Sequence, residues 1–211
     1  MAPKQALRLM FWFSNDVSID FMASLYRHKW PTILKEDQIT LRPLRLRDRS
    51  AWLAVRKLNR AWLSQWEATS PISHENKNLP SYFEMVNYHR GEGRSGRSLT
   101  LAIWFEKNLI GQITLGGISY GAYRGAHIGY WIDERYANKG ITTKAVRRLT
   151  QYGFEELGLH RIEINLRPEN AASKRVAEKA GYVFEGLRPR YLHIDGAWRD
   201  HLCYVKENPR I

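Results

Sequence analysis

A single mixed sheet with helices on both faces, an α/β (α+β) domain, is the fold class the sequence predicts, and three observations predict it. Period-two apolar runs open the ordered part of the chain, strand and helix periods then alternate, and a last pair of period-two runs flanks a turn. No internal repeat or low-complexity linker separates them, and 211 residues suit one domain better than two. Residues 1–36, aromatic and without sustained periodicity, read as an N-terminal extension; residues 37–211 read as the domain.

The first run, 38–44, alternates apolar residues, and Pro43 marks it as an edge strand. Asp48 is placed to cap a helix in which Trp52, Val55 and Leu58 recur at helical spacing. A second helix carries Ala61, Trp62, Leu63 and Trp66, and 69–73 is a turn-rich break. After Pro80 comes a helix with Tyr82, Phe83, Val86 and Tyr88, closed by Gly91-Glu92-Gly93. Strands over 98–105 and 109–118 join through Lys107-Asn108 as an antiparallel hairpin, with Leu99, Leu101, Ile103 and Phe105 on one face. Residues 127–132 form the next strand. Ile141, Ala145, Leu149 and Tyr152 then share one helical stripe, ended by Gly158. Residues 161–166 alternate again, Asn170 starts a helix that stops at Gly181, and 182–192 with 198–205 form a terminal hairpin.

The net charge of +12 implies an anionic partner: nucleic acid, the ribosome or a nucleotide-type cofactor. The basic residues fall in short groups, such as Arg42 to Arg49 and Arg147-Arg148, so a solvated basic face accounts for them equally well. The lone Cys203 excludes an internal disulfide or a cysteine zinc cluster, and its apolar neighbours make it a core filler. No run approaches the roughly 18–20 apolar residues of a membrane span. Met1 to Phe13 resembles a short signal peptide, but Asn15 and Asp16 interrupt it, and a cytoplasmic protein is expected. The histidines lack metal-ligand spacing, and no metal is expected.

The chemistry concentrates between 129 and 182. A strand ending Trp131-Ile132-Asp133 runs through Asn138-Lys139-Gly140 into the helix beginning Ile141-Thr142. Such a junction aims free backbone amides and the positive helix end at one spot, where a diphosphate fits. Lys139 and Lys144 add positive charge nearby, although a plain helix start with a turn glycine gives the same pattern. Some thirty residues on, Asn170 and Ser173 stand three apart at a second helix start and face the same way. Asn170 is also a good N-cap.

These segments resemble the GCN5-related N-acetyltransferase (GNAT) superfamily. Its pattern Q/R-x-x-G-x-G/A aligns with Ala137 to Thr142; the glycine is kept, while Ala137 and Thr142 depart from the polar first and small last residues. The resemblance implies a splayed strand pair holding acetyl-CoA, with the pyrophosphate at the loop before Ile141 and pantetheine between the strands. Asn170, Ser173 and the Ala180-Gly181-Tyr182 end are similar to the family's pantetheine-contacting helix. Leu63 to Glu67, and Tyr191 to His201 with its Asp195-Gly196-Ala197-Trp198-Arg199-Asp200 core, resemble the bacterial ribosomal-protein alanine N-acetyltransferases. That implies an acceptor at a ribosomal protein's N-terminus, reached at the ribosome. The basic surface adds an expectation of non-specific RNA contact, the lack of a long apolar run one of no membrane, and a monomer or homodimer is expected. Two alternatives stand beside it: acetylation of a small amine or amino acid, and a non-catalytic RNA- or ribosome-binding protein of this fold.

An N-terminal amine has a pKa of about 7.7–8.0, so attack on a thioester needs only modest help from a base. Glu67 is the first candidate, ahead of Asp195 and His193, whereas Asp195-Gly196 also reads as a plain hairpin turn. Trp66, Glu67, Tyr191, Asp195 and Trp198 are the expected acceptor contacts. A backbone N–H near Trp131 or Ile132 is the expected donor to the developing oxyanion. Ser173, by resemblance and by helix geometry, is the expected proton donor to the departing sulfur.

Overall fold

A computed structural model of the chain describes residues 30–72 and 80–211, so the readings made on 1–29 and on Ser73 lie outside the described residues. Strands β1 (Leu34–Glu36), β2 (Ile39–Arg42), β3 (Leu99–Phe105) and β4 (Asn108–Ser119) form one half of a single sheet. Strands β5 (Gly125–Ile132), β6 (Arg161–Leu166), β7 (Val183–Ile194) and β8 (Ala197–Glu207) complete it, in the order β1-β2-β3-β4-β5-β6-β8-β7. Every neighbouring pair is antiparallel except β5 and β6.

Helices cover both faces. The odd residues of β3, Leu99, Leu101 and Ile103, are fully buried together with Ala145, Val146 and Leu149 of α4 (Ile141–Glu155). On the opposite face Ala102 and Leu109 form a smaller core with Val55 of α1 (Arg49–Leu58) and partly buried Trp52, Trp104 and Trp131. Alternation of side chains along β3 thus feeds two cores. The short α2 (Arg60–Ser64) follows α1, α3 (Tyr82–Arg94) packs over β3, and α5 (Ala171–Lys179) follows β6. No described helix is long and apolar enough to cross a membrane.

Several local expectations change. The sheet opens earlier, because β1 at 34–36 pairs with β2 and makes β2 an interior strand. Pro43 sits one residue past β2, where no ladder N–H is needed, so it is compatible with an interior strand. Asp48 does not cap α1 through its side chain; its buried carboxylate accepts from the Arg45 N–H (2.8 Å) and pairs with Arg42 (2.7 Å). The helix predicted to close at Gly91-Glu92-Gly93 runs on to Arg94, because Gly93 makes room for the Trp30 ring, with which a Cβ would collide.

The parallel contact positions the site. β5 and β6 pair only over Gly125↔Arg161, Ala126↔Ile162 and His127↔Glu163. Beyond that β5 stays with β4 as far as Ile132 and β6 stays with β8 as far as Leu166, so the two strands part into a V. The Asp133 N–H donates to the Ile110 carbonyl (2.7 Å) across to β4. Strand alternation then turns the Trp131 amide toward β4 and the Tyr130 and Ile132 amides into the V.

At the closed end of the V, Glu163 is buried and accepts from Arg188 (2.7 Å), Arg161 (2.9 Å) and the Tyr123 hydroxyl (3.2 Å). Burial alone would raise its pKa, but the hydrogen bonds and charge of Arg188, with Asn165 and Arg161, outweigh it and hold the carboxyl at about 2. A carboxyl depressed in the folded state stabilises above the ordinary glutamate pKa and loses that contribution as pH falls toward 2. Urea unfolding at pH 7 and pH 3 is therefore expected to show a larger loss for the wild type than for Glu163→Gln. Equal losses would show that this cluster does not couple folding to acid.

Candidate active site

A cavity of about 800 Å³ opens where the strands part, between the end of β5, the starts of α4 and α5, and residues 62–68. Its three ends have different chemistry.

At the α4 end, Gly140 adopts φ +75° and Asn138 φ +60°, left-handed conformations that glycine and asparagine tolerate best. Gly140 occupies the N-cap of a fifteen-residue helix with no side-chain cap, so the amides of the first turn keep no intrachain side-chain acceptor. A Cβ on Gly140 would meet no atom within 4 Å and would project into open space. Asn138, Gly140 and Thr142 line the cavity as the sequence implied, and Ala137 and Thr143 join them. Ile141 buries its side chain in the core, which leaves only its backbone for the cavity. Neither lysine behaves as expected: Lys139 lies over the Tyr136 ring (5.3 Å) rather than on the wall, and Lys144 pairs with Asp37 (2.6 Å). Arg175 and Lys179 of α5 supply the positive charge instead. Sequence reasoning missed them, though their i, i+4 spacing places them on one helix face.

Asp133 is also off the wall. It is fully buried, and its carboxylate accepts from three donor groups of Arg135, the backbone N–H, Nε (shared between both oxygens) and Nη2. Burial raises its pKa, yet Arg135 brings the net value below the usual carboxylate range. Asp133 braces the turn that leads from β5 to α4.

In the middle of the cavity, Asn170 caps α5 by accepting from the Ser173 N–H (2.9 Å). The Ser173 hydroxyl lies 2.7 Å from the Tyr130 hydroxyl, a contact between residues 43 positions apart. Burial raises the Tyr130 pKa above that of an ordinary tyrosine, with the Ser173 hydrogen bond opposing it only in part, so the phenol stays neutral. Gln112 lines the same wall and has a buried Oε1 with no hydrogen-bond partner. An orphaned buried acceptor is costly in an empty pocket and calls for a polar ligand group.

At the third end stand Trp62, Trp66 and Glu67. The Glu67 carboxylate pairs with Arg56, whose guanidinium lies over the Trp131 ring (5.1 Å), and Arg167 lies over Trp66 (5.3 Å). The β7–β8 hairpin ties this segment down. The Asp195 N–H donates to the Glu67 carbonyl (3.1 Å), the Thr69 N–H to the His193 carbonyl (2.9 Å), and the Gly196 N–H to Thr69 Oγ1 (3.0 Å). Tyr191, Asp195 and Trp198, expected as acceptor contacts, do not line the cavity. Asp195 makes the hairpin turn, Trp198 stands edge-on to His193 (5.5 Å), and Tyr191 packs against His201 and Arg188. The hairpin braces Glu67 through backbone bonds.

The sequence and fold that build this site are shared with known acetyltransferases. A family model described as "Acetyltransferase (GNAT) domain" matches residues 38–183. The Bacillus subtilis (strain 168) protein named Probable N-acetyltransferase YjcK is 34% identical over 186 residues, covering 84% of this chain and 98% of its own. The Escherichia coli (strain K12) [ribosomal protein uS5]-alanine N-acetyltransferase is 29% identical over 191 residues, 87% of this chain and 95% of its own. Among solved structures, Mycobacterium smegmatis RimJ in complex with CoA-disulfide superposes with a TM-score of 0.77 at 35% identity, covering 86% of this chain and 90% of that one. With its mixed sheet, its parted β5 and β6 and this kinship to ribosomal-protein acetyltransferases, the chain belongs to the GNAT acetyltransferase family.

Proposed function

We propose that this acetyltransferase takes the acetyl group of acetyl-CoA and transfers it to the N-terminal amine of an alanine-starting ribosomal protein. The observation that carries the reading is one continuous cavity joining an uncapped helix N-terminus, an open strand edge and a carboxylate beside aromatic walls. The residues fit the cofactor. Its diphosphate suits the α4 amides, the open space over Gly140, and Arg175 and Lys179; its amide-bearing arm suits the free Tyr130 and Ile132 edge and the unpartnered Gln112 Oε1. When bound, acetyl-CoA supplies an acetyl group activated as a thioester. The E. coli and M. smegmatis relatives support the ribosomal acceptor by what they are named for.

Each protein group then has a task. Glu67, held by its ion pair with Arg56, receives the proton of the acceptor ammonium directly or through one water. Trp62 and Trp66 hold the apolar stem of the acceptor. The Ile132 amide, rather than that of Trp131, faces the V and donates to the carbonyl oxygen as negative charge develops there. Ser173 donates a hydrogen bond to the departing sulfur. The nitrogen–carbon bond forms as the carbon–sulfur bond breaks, the electron pair leaves on sulfur, and the second proton of the nitrogen passes to the thiolate by way of the Ser173 hydroxyl, which is thereby restored.

The test is mass spectrometry of a synthetic alanine-starting peptide from ribosomal protein uS5, incubated with purified protein and acetyl-CoA. A single acetyl group on the α-amine is expected; modification of free amino acids or polyamines in preference to the peptide would overturn the acceptor. Glu67→Gln is expected to lower kcat/KM for the peptide by about a hundredfold, the scale of one general base, while acetyl-CoA affinity stays unchanged. A fall in acetyl-CoA affinity matching the loss of activity would remove Glu67 from the acceptor end.

A further inference from the structure

Beyond the reaction cavity lies a second concavity of about 430 Å³, between the loop after β2, the C-terminal half of α3 and the start of β3. Arg42, Arg45, Arg90, Arg94 and His89 line it beside apolar residues such as Trp30 and Ile33, and among the described residues no carboxylate does. Arg42 is committed to Asp48 and stacks over Trp104 (4.2 Å). Arg45, Arg90 and Arg94 have no ion-pair partner among the described residues. Glu92, the nearby acid of α3, is taken by Arg97 (2.6 Å). Three guanidinium groups without an ion-pair partner thus line one hollow, with no carboxylate among the described residues of its wall. Their mutual repulsion is relieved when an anion enters.

The floor adds a donor. Thr114 Oγ1 donates to Thr100 Oγ1 (3.2 Å), which leaves the hydrogen of the buried Thr100 hydroxyl for another acceptor. Thr114 lines the reaction cavity and Thr100 lines this one, so the two hollows share the sheet face that α1 and α3 cover. Outside the hollow, Arg47 and Arg49 are exposed and continue the positive surface along the same turn. A single small anion would leave those outer charges unmatched, whereas a chain of phosphates meets them in succession.

We propose that this arginine-lined hollow binds the phosphodiester backbone of RNA. It deepens the ribosomal reading above by naming the surface that meets the ribosome, yet it concerns binding alone and stands or falls without the transfer reaction. Guanidinium forks suit phosphate oxygens, and contacts to the phosphate backbone carry no sequence information, so binding is expected without sequence preference.

The experiment is fluorescence anisotropy with a labelled single-stranded RNA oligonucleotide, without acetyl-CoA, across a salt series. Arg90→Glu with Arg94→Glu is compared with Lys107→Glu with Lys174→Glu, exposed residues that line neither hollow and remove the same net charge. The wild type is expected to bind with an affinity that falls steeply with salt. The arginine pair should weaken binding about tenfold or more and flatten the salt slope by about one to two, while the lysine pair stays within about twofold. Thermal unfolding monitors folding, and if the reversals lower it, Arg90→Gln with Arg94→Gln takes their place. Equal losses from the two pairs would overturn the site in favour of diffuse charge. Displacement of the RNA by polyglutamate as effectively as by unlabelled RNA would overturn the phosphate assignment. Peptide acetylation, measured separately, reports on the transfer reading and leaves this test untouched.

Discussion

Ser173→Ala is expected to lower kcat by about a hundredfold to a thousandfold, the scale of one donor removed from developing charge, with little change in acetyl-CoA affinity. Tyr130→Phe is expected to lose about tenfold, and the double variant no more than Ser173→Ala alone. The asymmetry follows from hydrogen counting. Ser173 has one hydroxyl hydrogen, and its oxygen lies 2.7 Å from the Tyr130 hydroxyl. If serine donated to tyrosine, nothing would remain for the sulfur. With tyrosine as the donor, the serine hydrogen is free to face the cavity. Burial keeps the phenol neutral and therefore always able to donate, which suits a positioning residue and unsuits it as a proton source. Because Tyr130 acts through Ser173, the two losses fail to add, and a double-mutant cycle reads that directly. Full additivity would show that Tyr130 contributes through packing alone. Equal falls in turnover and acetyl-CoA affinity in Ser173→Ala would move that residue from the chemistry to the cofactor.

The elements that hold this pair were legible because each has its own period. The 3.6-residue stripe of Ile141, Ala145, Leu149 and Tyr152 and the alternation of Ile162, Ile164 and Leu166 mark α4 and β6, and all seven are buried. Gly140 was legible only in combination, because a glycine before an amphipathic stripe also marks a plain helix start and Asn170 with Ser173 supplied the second element. The Tyr130–Ser173 contact was not, since it depends on two strands parting between residues whose local patterns say nothing of each other. Glu67 was found from its neighbours, but its Arg56 partner lies on another helix turn and carries no motif. Tyr191, Asp195 and Trp198 show the opposite case. A recognisable signature on a hairpin reads the same whether its side chains touch an acceptor or its backbone braces a neighbouring segment, and in the structure these side chains lie off the cavity wall while the hairpin backbone bonds to Glu67 and Thr69. Lys139 and Lys144 were assigned by nearness in sequence to the helix start, whereas the charges on the wall come from α5, packed there only in the folded chain.

Gly140→Val should separate the two costs that meet at the α4 start. The first is backbone strain: at φ +75° an L-residue loses about 1–2 kcal/mol, and a β-branched one falls at the upper end or beyond. No steric clash adds to it, because the new Cβ would have no neighbour within 4 Å. The apoprotein is therefore expected to stay folded with a modestly lower unfolding midpoint. The second cost appears only with ligand. On the proposed reading a diphosphate approaches the Ile141, Thr142 and Thr143 amides through that open space, and a valine side chain would fill it. Calorimetry is expected to show acetyl-CoA affinity weakened by tenfold or more, about 1.4 kcal/mol or more. Gly140→Ala, which brings the strain with a smaller intrusion, should fall between wild type and valine in affinity while matching most of the loss in stability. Should both variants lose stability yet bind acetyl-CoA as the wild type does, Gly140 serves the helix start alone and the diphosphate sits elsewhere in the cavity, with Arg175 and Lys179 as the groups to examine next.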